Sequence, residues 1–254
     1  MELPVNRFKA GLKAGKVQYG LWITIPDPSL AESMAGAGFD WLTFDTEHAP
    51  TEVSAVLPLL QAAAPYPVSC LVRPSTLDVA LIKRHLDQGA QTVILPYIQT
   101  PDEAKLAVAA VRYPPAGIRG VAGGTRASGY GRIPDYAERA GEEICLVLQV
   151  ETASALSRLD AIADVEGVDA LFIGPADLAA SMGYPGQTGH PEVRRAVLGA
   201  LATLSHRGMP AGLLTLDPDF ARQAVEAGAR FVAVGIDMSL LTGAADRLAA
   251  QFRA

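Results

Sequence analysis

Eight short apolar segments recur along this chain, and each is followed by a stretch with helical spacing. They lie at 17–25, 41–45, 67–72, 92–96, 144–150, 170–173, 211–214 and 231–234. They are apolar nearly throughout instead of alternating with polar residues, the pattern of strands buried on both faces. Strand–helix alternation makes neighbouring strands parallel and turns the helices into crossovers. Eight such units in 254 residues is the size of a (β/α)8 barrel, the TIM barrel, as one domain over 1–254. An open doubly wound sheet is the competing arrangement. Its dinucleotide-binding form needs Gly-x-Gly-x-x-Gly straight after a strand, and the glycine-rich run at 120–131 follows no convincing strand.

Helices are expected at 29–37 with Ser29 as N-cap, 51–64, 75–88 with Gly89 as the stop, 101–112 and 152–164. Further helices follow at 176–207 with a break at 183–189, then 218–227 and 239–252. Only 113–141 breaks the period. It is rich in Gly, Pro and Arg, and an irregular loop of that length in a compact domain usually serves function.

Composition removes several classes of function. Half the residues are hydrophobic and 19% are charged, too apolar for a disordered chain. The net charge of −6 speaks against a nucleic-acid partner. No apolar run reaches the roughly 18 residues of a membrane span, and the first residues contain no signal-like apolar stretch. Cys70 and Cys145 both fall in apolar strands, which predicts buried, reduced thiols and a cytoplasmic protein.

In a barrel of this kind the chemistry collects where the strands end. Those ends supply Asp45, Glu47 and His48, then Arg73, then Gln149 and Glu151, then Gly174, Pro175 and Asp177, and finally Asp237. Glu151 and Asp177 follow consecutive strands, so their carboxylates reach one rim. They could share a hard divalent cation, or they could simply cap the helices that follow them. His48 suits proton transfer near neutral pH. Arg73 could stabilise an oxyanion, bind a carboxylate or pair with a rim acid. Glu47 could equally be a solvated acid, and Asp45 a structural acceptor. The turn at Gly174-Pro175-Ala176 lets a ligand approach the backbone, and the helix start after it offers free N–H groups. All five lysines lie in helices or ahead of the first strand, which disfavours Schiff-base chemistry.

Several segments together carry a family resemblance. They are Phe-Asp-Trp-Leu-Thr-Phe-Asp-Thr-Glu-His-Ala-Pro at 39–50, Val-Arg-Pro at 72–74, Leu-Asp-Gln-Gly-Ala-Gln at 86–91 and Arg-Gly-Val at 119–121. Gln-Val-Glu-Thr at 149–152, Gly-Pro-Ala-Asp-Leu at 174–178 and Phe-Val-Ala-Val-Gly at 231–235 complete the set. In this order they resemble the HpcH/HpaI aldolases, metal-dependent class II pyruvate aldolases, over almost the full length. The resemblance implies Glu151 and Asp177 as ligands of a divalent metal (Mg2+, Mn2+ or Co2+). It implies Arg73 as the group on the enolate oxygen, His48 as acid/base, and Asp87 as the residue that orients His48. Gln149 would lie beside metal and substrate, and the backbone at Gly174, Pro175, Ala176 and Asp177 would hold the pyruvate carboxylate. The expected reaction is reversible cleavage of a 4-hydroxy-2-oxo acid to pyruvate, or a related 2-oxo acid, and an aldehyde. The expected assembly is a homo-oligomer, a trimer-of-dimers hexamer, in which the helix at 239–252 swaps to a neighbour. Thr46 departs from the pattern, since the best-known members carry Gly there. The competing functions are a related lyase acting on a CoA thioester, with Arg119, Arg126 and Arg132 for its phosphates, decarboxylation of oxaloacetate through the same enolate, and a non-catalytic barrel that binds 2-oxo acids.

Overall fold

A computed structural model describes residues 1–253. The chain opens with α1 (Arg7–Lys13) and β1 (Gln18–Ile23), followed by α2 (Pro28–Ala35), β2 (Trp41–Asp45), α3 (Val53–Ala63) and β3 (Ser69–Arg73). Next come α4 (Val79–Asp87), β4 (Thr92–Leu95), α5 (Pro101–Val111), α6 (Tyr136–Glu143) and β5 (Cys145–Val150). The last part runs α7 (Ala153–Leu156), α8 (Leu159–Ala163), β6 (Ala170–Ile173), α9 (Pro175–Ser181), α10 (Pro191–His206), β7 (Ala211–Leu214), α11 (Pro218–Glu226), β8 (Phe231–Ile236) and α12 (Asp237–Gln251). All eight strands are parallel to their neighbours, and β8 pairs back onto β1. The barrel is closed, and the open-sheet alternative falls. Among the described residues no helix is long and apolar enough to cross a membrane.

The continuous apolar character of the strands has two destinations. Outward residues such as Leu42, Phe44 and Val72 pack under α2 and α3 with Ala31, Val56 and Leu60. Inward residues build an aromatic plug in which the Trp22, Trp41, Phe172 and Phe231 rings meet at centroid distances of 5.5–6.5 Å, two pairs edge to face and two tilted. Trp41 fits because Gly20 stands opposite it; a Cβ there would stand inside the indole. The lower end is closed by α1, which the sequence reading left out. Its Phe8 ring lies 5.3 Å from Phe231 and 6.0 Å from Trp41. Lys9 pins it through Asp169 at 3.2 Å, and Asn6 through Thr92 at 2.9 Å.

Other differences are local. The helix expected from Ser29 starts at Pro28, because the Asp27 carboxylate caps Leu30 N–H at 2.9 Å. The helix expected at 75–88 begins at Val79 for the same reason, with Asp78 accepting from Leu81 N–H. The stop at Gly89 holds, with φ +95°. The expected helix at 152–164 divides into α7 and α8 around Ser157 and Arg158. The long segment 113–141 is not structureless: it contains a 3-10 turn, Arg126–Ser128, and the start of α6.

Candidate active site

Because β2 and β3 pair with Asp45 opposite Arg73, the two side chains enter the rim side by side. Asp45 takes Arg73 Nε on Oδ1 at 2.8 Å and Nη2 on Oδ2 at 2.6 Å, a bidentate pair with almost no exposure. Burial pushes the Asp45 carboxyl up, but the Arg73 hydrogen bonds and charge outweigh it and hold the group below its ordinary value. The Trp22 ring lies under the guanidinium, 4.9 Å from Cζ. Arg73 is therefore clamped from the side and from below, with Nη1 left to face the rim. Nη1 lies 2.8 Å from Glu47 Oε2 and 3.5 Å from Gln149 Oε1. The Glu47 contact is ionic without hydrogen-bond alignment, so this buried oxygen has no hydrogen-bond donor. Thr46 fastens the turn that carries Glu47: its N–H and its hydroxyl both donate to the Arg73 carbonyl, at 3.0 and 2.8 Å.

Glu151 stands just beyond β5, 3% exposed. Tyr97 N–H donates to its Oε1 at 2.7 Å and Gln149 Nε2 to its Oε2 at 3.2 Å. Burial pushes its carboxyl up to about 7. The charges of Glu47 and Asp177 add to that, while the Tyr97 N–H and Arg73 oppose it. Burial also raises Glu47, against the pull of Arg73 and His48. Gly174 is the residue that makes room: a Cβ there would overlap the Glu151 carboxylate. Asp177 is exposed in the first turn of α9. The first amides of that helix, at Ala176 and Asp177, have no intrahelical acceptor and open onto the same rim.

The rim thus brings together Asp45, Glu47, Arg73, Gln149, Glu151 and the start of α9. It carries four carboxylates, counting Asp177, against one guanidinium, and Asp45 already neutralises that. Two carboxylates without a counter-cation, Glu151 and Asp177, form a hard, all-oxygen donor set of the kind that suits Mg2+ or Mn2+. Among the described residues no three His, Cys, Asp or Glu side chains form a closed metal cage. A cation here would take its remaining ligands from water and substrate. The lysines stand off the rim, in α1, α4 and α5 and at Lys16.

Of the remaining candidates one stands at the margin of this cluster and two fall elsewhere. His48 lies at the edge of the rim with 66% of its side chain exposed and Nε2 3.9 Å from Glu47 Oε2. Asp87 is not beside it. It is the last residue of α4, which runs from the end of β3 to the start of β4, and its Oδ1 receives Arg119 Nη2 at 2.8 Å. The orienting pair implied by the family resemblance does not form within one chain. Asp237 is withdrawn from chemistry, because it accepts from Thr24 N–H and Oγ1, Ile25 N–H and Met238 N–H at 2.7–3.0 Å and so ties α12 to the end of β1. The arginines considered for CoA phosphates are also engaged. Arg119 is fully buried on Asp87 with Cζ 4.4 Å from the Tyr113 ring, Arg126 donates to the Gln88 carbonyl and Arg132 to that of Gly129.

Two contributors escaped the sequence reading. Trp22 has the inward parity of β1, so strand alternation could have found it. Tyr97 contributes only its backbone, for which a tyrosine code carries no signal.

Comparison with known proteins agrees with this architecture. The family model described as HpcH/HpaI aldolase/citrate lyase matches residues 18–244. A pyruvate aldolase of Rhizobium etli is 58% identical over 252 residues, 99% of this chain and 99% of that protein. A 4-hydroxy-2-oxo-heptane-1,7-dioate aldolase of Escherichia coli is 52% identical over 250 residues, 98% of this chain and 95% of that protein. The crystal structure of an HpcH/HpaI aldolase/citrate lyase family protein from Burkholderia cenocepacia superposes with a TM-score of 0.94 at 40% identity, covering 98% of this chain and 100% of that one.

Proposed function

This chain belongs to the HpcH/HpaI aldolase/citrate lyase family, and from that premise we propose how its rim performs a metal-dependent aldol reaction. The protein is a carbon–carbon lyase of the aldolase type. It cleaves 4-hydroxy-2-oxo acids reversibly to pyruvate, or a related 2-oxo acid, and an aldehyde. The observation that carries the site assignment is the charge balance of the rim: three carboxylates buried or half-buried and Asp177 exposed, with one clamped arginine and no lysine.

Glu151 and Asp177 hold a divalent cation, with Mg2+, Mn2+ and Co2+ as the candidates. When bound, the cation supplies Lewis acidity to the substrate's 2-oxo group. Ala176 and Asp177 N–H groups receive the substrate carboxylate at the turn that Gly174 and Pro175 keep narrow. Arg73, fixed by Asp45 and Trp22, aims Nη1 at the oxygen on which negative charge develops as the 3-carbon becomes nucleophilic. Because the guanidinium needs no reorientation, its stabilisation is available in full in the transition state. Gln149 supports Arg73 and Glu151 at once. His48, exposed at the rim, moves the proton of the 4-hydroxyl group through water. An orienting role for Asp87 then requires that it come from a neighbouring subunit, which fits a hexameric assembly with α12 exchanged between subunits. The protein acts in the cytoplasm on small molecules.

Chelation tests the reading. Protein stripped with EDTA should lose release of pyruvate from a 4-hydroxy-2-oxo acid and regain it with Mg2+, Mn2+ or Co2+. Full activity after exhaustive chelation refutes the metal role. Metal and pyruvate binding without exchange of the pyruvate methyl protons in D2O would instead identify a binding barrel.

A further inference from the structure

The pairing of β4 with β5 contains an irregularity at the active-site end. Cys145 N–H donates to Gln91 O at 2.8 Å, and the register runs from Thr92 opposite Cys145 to Leu95 opposite Leu148. Continued regularly, this parallel ladder gives the Gln149 carbonyl the N–H of Tyr97. It receives the N–H of Ile98 instead, at 3.0 Å. One residue has been inserted, a β-bulge, and Tyr97 is the residue it throws out of the ladder. Tyr97 sits at φ +57°, a left-handed backbone conformation that residues other than Gly, Asn and Asp seldom adopt. Its side chain gives no reason for this, since the residue is 57% exposed. What the bulge achieves is the direction of one N–H, which the ladder would have consumed and which now reaches Glu151 Oε1 at 2.7 Å.

We propose that the Tyr97 bulge is a positioning device for the metal site, holding the Glu151 carboxylate through a main-chain donor so that it meets a divalent cation in one orientation. This rests on the reading of Glu151 as a metal ligand. The other donor to Glu151, the Gln149 amide at 3.2 Å, is longer and sits on a side chain that also faces Arg73. The backbone donor cannot rotate away. Pro96 precedes Tyr97 and has no N–H of its own, so the inserted residue leaves no further donor unpaired.

Because Ile98 already occupies the ladder position, deleting Tyr97 closes the bulge without shifting α5. Chelator-stripped protein titrated with Mn2+ by calorimetry should show affinity at least tenfold weaker for the deletion than for wild type, with cooperative thermal unfolding retained. Tyr97→Ala and Tyr97→Gly keep the N–H and should bind Mn2+ within about threefold of wild type. Should the deletion not unfold cooperatively, the α-hydroxy-acid analogue at Tyr97, which replaces only the N–H, carries the same expectation of tenfold weakening. Wild-type affinity in the deletion or the analogue overturns the proposal, as does a tenfold loss in Tyr97→Ala. A Glu151→Gln control separates the two layers: if it binds Mn2+ like wild type, the metal assignment of Glu151 is what fails.

Discussion

His85 should make this protein lose stability in mild acid, and the size of the loss follows from its burial. The ring has no exposed surface, and neither nitrogen has a hydrogen-bond partner. Burial pushes its pKa down to about 4 from 6.5, and the charge of Arg84 acts in the same direction. An unfolded chain protonates this ring at its ordinary value, and the folded chain only near 4. Between those values the unfolded state binds more protons, so stability is complete above 6.5 and falls as pH drops towards 4. Over pH 7.5 to 4.5 the loss is about 2.5 kcal/mol. Glu151 works in the opposite sense, since its folded pKa of about 7 lies above the ordinary 4.5 and its burial costs stability as pH rises through that window. The wild-type curve alone therefore mixes both signs. Urea denaturation of wild type and His85→Leu across pH 4.5–8 isolates the histidine, because Glu151 contributes equally to both. The wild type should lose about 2.5 kcal/mol more than the variant between pH 7.5 and 4.5. Two curves that stay parallel throughout would refute the reasoning.

Two substitutions test the geometry elsewhere. Gly174→Ala places a Cβ inside the Glu151 carboxylate, so metal-dependent pyruvate release should fall about a hundredfold, roughly the effect of losing a metal-site or oxyanion interaction, while the far-UV circular dichroism stays native; normal activity would show that Glu151 can move without cost. Asp237→Ala removes the acceptor shared by Thr24, Ile25 and Met238 and leaves buried donors unpaired, so it should cost about 2–4 kcal/mol and lower Tm by roughly 5–10 °C. A Tm within a degree of wild type would mean that water replaces the carboxylate.

How much could be read in the sequence depended on whether a feature is expressed by side-chain type. The eight strands were legible because burial on both faces leaves an unbroken apolar run, and parallel pairing follows from the alternation with helices. Asp45, Glu47, Arg73, Gln149 and Glu151 were legible as site candidates because strand ends in a barrel converge whatever lies between them in sequence. The short α1 was missed because its seven residues acquire their value only in three dimensions, where Phe8 meets Trp41 and Phe231. The starts of α2 and α4 were misplaced because Ser and Asp compete for the N-cap, and the carboxylates of Asp27 and Asp78 hold it. Asp87 was paired with His48 by resemblance, whereas within the chain it ends α4 on Arg119. Tyr97 was invisible because its contribution is a backbone N–H turned by one inserted residue.

The electrostatics of the rim also bear on the order in which its ligands enter. Arg73 is the one permanent cation at the site, and Asp45 holds two of its nitrogens, so the pair is close to neutral as seen from the rim. Glu47, Glu151 and Asp177 then dominate; burial is the main reason that Glu47 and Glu151 titrate above their ordinary values, and the charges of the neighbouring carboxylates add to it. A 2-oxo acid arrives as an anion. Against that field its carboxylate would meet repulsion, and the two amides of α9 are a modest counterweight. On the proposed assignment, a divalent cation held by Glu151 and Asp177 would reverse the sign of that field. On this reading the acidic rim acts as a filter that refuses the substrate until the metal is present. The clamp of Asp45 on Arg73 is part of the same arrangement, because together with the Glu47 contact on Nη1 it keeps the arginine from serving as a metal-independent anion site, while Nη1 still faces the rim where charge appears during reaction.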